Sequence, residues 1–120
     1  MKWKTLCDDL AASKDTKRFR GCIKRMLDKW QPILGVSIDG WSVRKMKKYW
    51  GSTNTGTRRI VFNSELMKLP PSYIEYIVVH ELVHHLTDGH DAKFYELMDK
   101  HLPGWRKMQA RIEEPLRRYS

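Results

Sequence analysis

Apolar positions recur at helical spacing between Thr16 and Trp30. Phe19, Ile23, Met26, Leu27 and Trp30 make one face, and Pro32 with Gly35 marks its end. The pattern then changes. Val36–Ile38 and Trp41–Trp50 are rich in β-branched and aromatic residues, with Asp39-Gly40 as a turn signal between them. Residues 51–56, Gly-Ser-Thr-Asn-Thr-Gly, read as a loop. Thr57–Asn63 reads as a strand with Ile60 and Phe62 on one face. Helical spacing returns after Pro70-Pro71. Ser72 and Glu75 have capping-box spacing, and Ile74, Ile77, Val78 and Leu82 form a wide stripe that runs on to about Thr87. Asp91 is a good N-cap for a further helix, with Phe94, Leu97, Met98 and Leu102 inward and Pro103-Gly104 as its stop. A last helix spans Trp105–Glu113, closed by Pro115.

Helix, then strands, then helices argues an α+β fold with a small antiparallel-type sheet packed on a helix. At 120 residues the chain is one domain's worth. The expected organisation is a helical segment over 1–35, the sheet over 36–63, helices over 64–113 and a tail over 114–120. No apolar run nears the ~20 residues a membrane helix needs. The charged start, Met1-Lys2-Trp3-Lys4, is unlike a signal peptide. Cys7 and Cys22 match no zinc-ribbon or disulfide pattern and read as free thiols. A cytoplasmic protein without a membrane partner is the expectation.

Charge changes the picture. The net charge is +9, and the excess lies wholly in the first half: residues 1–60 hold 15 basic and 5 acidic side chains, residues 61–120 hold 8 and 9. Such asymmetry suits either a solvated basic face or an anionic partner, nucleic acid or nucleotide. The run Trp41–Trp50 interleaves aromatic and basic residues as single-strand binders do, although a strand with one wet face has the same pattern.

The chemistry is concentrated in His80-Glu81-Leu82-Val83-His84. On a helix, residues four apart lie on one face, about 6 Å along the axis, so both imidazoles can reach one metal ion. Glu81 projects beside them, placed to act as general base on water at the metal. A catalytic zinc normally takes three protein ligands. His90 is the third candidate, six residues after His84, with Gly89 allowing the chain to reverse. H-E-x-x-H arises by chance in about 1% of chains of this length and composition, and a correctly spaced third histidine cuts that roughly 25-fold. The expected cofactor is one Zn2+ ion. His85 falls on another helix face and reads as exposed. His101 lies near a helix C-terminus, where a cation is favoured. Asp91 could orient a ligand imidazole. Tyr95, Tyr76, Arg58 and Arg59 are candidates to stabilise an oxyanion, and the sequence does not choose among them.

These residues carry a resemblance. Trp50-Gly51-Ser52, Ile60-Val61-Phe62-Asn63, Leu66, Leu69-Pro70-Pro71 and Tyr73–His84, continued by His90, Phe94, Pro103 and Trp105, resemble the YgjP-like metallopeptidase domain over about residues 43–110. The resemblance implies a zincin-like fold, His80, His84 and His90 as zinc ligands, Glu81 as catalytic acid/base, and a protein or peptide substrate. Members often carry W-G-S-C-S, whereas Thr53-Asn54 follows Ser52 here. Many are longer, with a β-rich N-terminal region absent here. Some have been described as nucleoside-triphosphate pyrophosphatases. In that alternative Lys45, Lys47, Lys48, Arg58 and Arg59 would hold phosphates, though no Gly-rich phosphate loop is present. Locally, His80 through Tyr95 is similar to the WLM proteases, which act on proteins crosslinked to DNA. The metzincins share the histidine spacing but have Gly where Thr87 stands. The leading expectation is a zinc metallopeptidase that aligns an extended peptide on a sheet edge at Thr57–Asn63.

Overall fold

The computed structural model describes residues 16–87 and 89–113. Cys7, the start of the chain and the 114–120 tail lie outside them. The order is α1 (Thr16–Leu34), β1 (Gly40–Arg44), β2 (Gly51–Asn54), β3 (Arg59–Asn63), a 3₁₀ turn (Ser64–Lys68), α2 (Pro71–Val83), α3 (Ala92–His101) and α4 (Trp105–Glu113). This is an α+β fold.

Helix α1 buries Phe19, Cys22, Ile23, Leu27 and Trp30, close to the stripe read from spacing. It does not stop at Pro32, which sits in its last turn. Gly35 stops it at φ 71°, where Val36 N–H donates to Gln31 O and Gly35 N–H to Pro32 O. That double bond pattern satisfies the end carbonyls and needs a left-handed residue.

The sheet is the main departure from expectation. It is mixed, in the order β1-β3-β2, with β1 parallel to β3 and β2 antiparallel to it. Asp39-Gly40 makes no hairpin turn. Instead Asp39 N–H donates to Arg58 O at 2.7 Å and Gly40 begins a strand. The true hairpin joins β2 to β3 through Thr55–Arg58, with Arg58 at φ 57° and the Asn54 carboxamide accepting from Thr57 N–H. It was hidden because Gly51–Asn54 reads as a loop. A polar strand at a sheet edge, half-buried on alternate residues, carries no hydrophobic signature. The central strand β3 buries Ile60 and Phe62 completely.

One polar residue is fully buried beside them. Asn63 donates from Nδ2 to Met46 O (3.0 Å) and Tyr49 O (2.8 Å), and its Oδ1 accepts from Met46 N–H (3.3 Å) and Glu65 N–H (3.0 Å). A single side chain thus pins both ends of the β1–β2 loop.

Helix α2 is apolar almost all round, as a helix enclosed by neighbours must be. It packs on α1, β2, α3 and α4. Its capping box does not form. Pro71 takes the first helical position, which places Ser72 inside the helix instead of at its cap. Glu75 accepts instead from Trp30 Nε1 at 2.7 Å and Lys29 Nζ at 3.1 Å, tying α2 to α1. The helix also ends at Val83, before Thr87. His85 N–H donates to Leu82 O and Leu86 N–H to Val83 O, so the last turn tightens to three-residue bonds. Asp91 caps α3 by accepting from Phe94 N–H at 3.0 Å. Among the described residues no helix is long and apolar enough to cross a membrane.

Candidate metal centre

α2 presents His80, its C-cap residue His84 stands one turn further on, and Gly89, at φ 84°, turns the chain so that His90 returns to them. The Nε2 atoms of His84 and His80 are 3.0 Å apart, and those of His90 and His84 are 3.2 Å apart. Three nitrogens at zinc-bond lengths around a tetrahedral ion stand about 3.3 Å from one another. Two of the three separations match that spacing and all three ligand atoms lie within 4.8 Å of one another, so the donor set could hold one metal ion, and among the described residues it is the one such cluster. Phe94 backs the three rings, with centroids 5.2, 5.1 and 4.5 Å from those of His80, His84 and His90.

The electrostatics suit ligation, which requires neutral imidazole. Burial, aided by the neighbouring imidazoles, pushes His80 down to about 3 and His84 down to about 4. Glu81 is buried, and burial alone pushes its carboxyl up to about 8. In the metal-free chain these shifts oppose one another. Below pH 6.5 the unfolded chain gains imidazole protons that the fold refuses, so stability falls with acidity. From pH 4.5 to about 8 the fold keeps a Glu81 proton that the unfolded chain sheds, so stability falls with alkalinity. Below 6.5 His80 and His84, joined by His85 and His101, which burial also pushes down, outweigh one carboxyl, and Glu81 dominates above it. Thermal melts in chelator should therefore peak near pH 6.5, and Glu81→Gln should abolish the decline between 6.5 and 8. An unchanged alkaline decline in the variant would refute this assignment.

A cleft of about 630 Å³ opens over the three histidines. One wall is the end of the β1–β2 loop with β2: Tyr49, Trp50, Gly51, Ser52 and Thr53. The other includes Tyr76 and Ile77 of α2 with Gln109 and Ile112 of α4. At Gly51 β2 passes close against Glu81. A Cβ there would stand 3.0 Å from Glu81 Oε2, 3.1 Å from its Cγ and 3.2 Å from its Cδ. Gly51→Ala should displace Glu81 or the strand, lowering turnover about tenfold or more while costing about 1–3 kcal/mol of stability. Paired melts and peptide assays check this, and wild-type turnover in the variant would contradict it.

The other candidates separate clearly. Of the four oxyanion candidates, Tyr76 alone lines the cleft, with its ring edge-on to His80 at 5.7 Å. Tyr95 is 39% exposed and stacks on Trp105. Asp91 serves as the α3 cap. Lys45, Lys47, Lys48, Arg58 and Arg59 are exposed and none lines the cleft, so the phosphate-holding arrangement is not assembled there. Arg58 instead donates to Ser37 O, and Arg59 lies against Gly40. His101 meets Trp30 edge-on, away from the site. His85, expected to be exposed, is half-buried and bonds Thr53 Oγ1 through Nε2 at 2.8 Å, because the tightened turn swings it toward β2. Sequence reasoning missed Gly51, Thr53, Asn63 and Gln109 at or behind the site. Gln109 had a signal: it is a polar residue on the face shared by Trp105 and Ile112.

Two solved structures share this architecture. The crystal structure of the metallopeptidase zymogen abylysin of Pyrococcus abyssi superposes with a TM-score of 0.71 at 24% identity, covering 80% of this chain and 96% of that one. The metallopeptidase zymogen jannalysin of Methanocaldococcus jannaschii gives 0.68 at 21% identity, covering 78% and 96%. No curated protein matches the chain. At these identities the likeness establishes the fold. The family of YgjP-like metallopeptidase domains matches residues 9–114. A metal cofactor and a peptide or protein substrate go with that family, and the chain, with its histidine cluster at the foot of a cleft, belongs to the YgjP-like metallopeptidase domain family.

Proposed function

We propose that the protein is a zinc metallopeptidase, with His80, His84 and His90 holding the ion and Glu81 acting as general base. The convergence of three imidazole nitrogens within 4.8 Å of one another, beside a buried carboxyl, carries this reading. The three imidazoles of His80, His84 and His90 would hold the ion, which when bound would supply Lewis acidity, lowering the pKa of water toward ~7. Glu81 takes the proton from the attacking water and delivers it to the leaving amine. Burial of its carboxyl in a low-dielectric wall strengthens it as a base.

The peptide is aligned by β2, not by the 57–63 segment expected from sequence. β3 has a partner on each side, whereas β2 is an edge strand along the cleft wall. Its free backbone groups can pair with an extended substrate. The His85–Thr53 bond ties that strand to the end of α2.

Chelation should abolish peptide hydrolysis and added zinc restore it. His84→Ala should bind zinc at least about 100-fold more weakly and show no recovery at equimolar zinc. Full activity of the chelated protein would rule the reading out.

A further inference from the structure

We propose that the cleft selects extended peptides with acidic side chains on the carboxyl-terminal side of the cleaved bond, recognised by Lys47 and Lys48. The inference rests on the peptidase reading above and names the substrate class of that site.

Residues 40–64 contain Arg44, Lys45, Lys47, Lys48, Arg58 and Arg59 and no acidic residue. This segment spans the whole sheet and one wall of the cleft. Lys47 and Lys48 are exposed, and neither enters an ion pair among the described residues. They do not sit on a loose loop. Asn63 grips Met46 through both its N–H and its carbonyl, and Tyr49 through its carbonyl, so the two lysines are displayed between fixed points. The next residue, Tyr49, is 52% exposed and lines the cleft. The lysines therefore directly precede, along the chain, a residue that lines the cleft. Among the described residues lining that cleft, Glu81 is the one acid, so nothing else there competes for the lysines.

Direction follows from the strand. β2 enters beside Glu81 at Gly51 and runs away through Thr53 to Asn54. A peptide pairing antiparallel to it runs the opposite way, which is the more stable pairing. Its residues after the cleaved bond then extend back past Gly51 toward Tyr49, Lys48 and Lys47. Residues before the bond lie along Thr53 and Asn54, where both side chains are neutral. Half-screened lysine–carboxylate pairs at such a rim discriminate modestly and lose strength with salt.

The test uses zinc-loaded full chain and three peptides of one neutral core: with two glutamates after the cleaved bond, with two before it, or with none. Mass spectrometry identifies the bond, and initial rates give kcat and KM. The glutamates after the bond should raise kcat/KM about three- to tenfold over the neutral peptide at low salt, chiefly through KM. That advantage should vanish in Lys47→Ala/Lys48→Ala and reverse in Lys47→Glu/Lys48→Glu, with the neutral peptide cleaved as by wild type. Anisotropy with labelled peptides and the Glu81→Gln protein should show the same order of affinity without turnover. Cleavage of all three peptides alike, or preference for the second, overturns the inference and leaves the peptidase reading standing. No cleavage of any peptide by wild type overturns both. An oligo-dT that binds at Lys47 and Lys48 where the acidic peptides show no preference would assign the surface to nucleic acid and overturn it too.

Discussion

Glu81→Gln should reduce kcat for peptide hydrolysis by about 10²–10⁴-fold while retaining one zinc per chain. General acid–base catalysis is worth about that much. The substitution keeps shape and removes only the capacity to accept a proton. Because the carboxyl is buried and burial disfavours its charged form, a neutral carboxamide costs the fold little. The outcome separates roles that the structure places side by side. Loss of zinc along with activity would make Glu81 a support for the metal centre. Retained turnover would remove it from the mechanism. Metal analysis and steady-state kinetics on the same preparation read both quantities.

Asn63→Ala should destabilise the protein by about 3–5 kcal/mol, a large part of the 5–15 kcal/mol typical of a domain. Four hydrogen bonds go at once, and the Asn63 side chain that makes them is fully buried, so its truncation leaves part-buried groups of Met46, Tyr49 and Glu65 without their partner. Asn63→Asp is the sharper variant. It keeps the acceptor for Met46 and Glu65 N–H but sets a carboxylate against the carbonyls of Met46 and Tyr49. Chemical denaturation should show both variants weakened. A change below about 1 kcal/mol in each would show that the loop is held by other means. Since that loop carries Tyr49 and Trp50 to the cleft, any folded fraction should also bind peptide more weakly.

The parts of the molecule legible from sequence were those in which one residue pattern has one physical outcome. The histidine spacing places three nitrogens together because helical geometry leaves His80 and His84 little choice and Gly89 permits the return. The Asp91 cap and the Trp105–Glu113 helix follow equally local rules. What stayed hidden depends on contacts distant in sequence. β2 has too few apolar side chains to announce itself, and only its pairing with β3 makes it a strand. The parallel β1–β3 pairing is invisible locally, so a β1 hairpin was the natural expectation. Ser72 and Glu75 have the spacing of a cap, yet Pro71 starts the helix one residue sooner and Trp30, 45 positions away, takes the carboxylate. Gly51 matters because of Glu81, thirty residues on. No reading of residues 51–56 alone could show that the general-base candidate lies against it.

The most direct measurement incubates zinc-loaded protein with an unstructured protein such as casein and identifies new termini by mass spectrometry, with the chelated protein as its control. Zinc-dependent internal cleavage, with peptides accumulating over time, is the predicted result. No new termini from protein confirmed to hold one zinc, accompanied by zinc-dependent hydrolysis of uridine triphosphate, would contradict the peptidase account and assign the site to nucleotides.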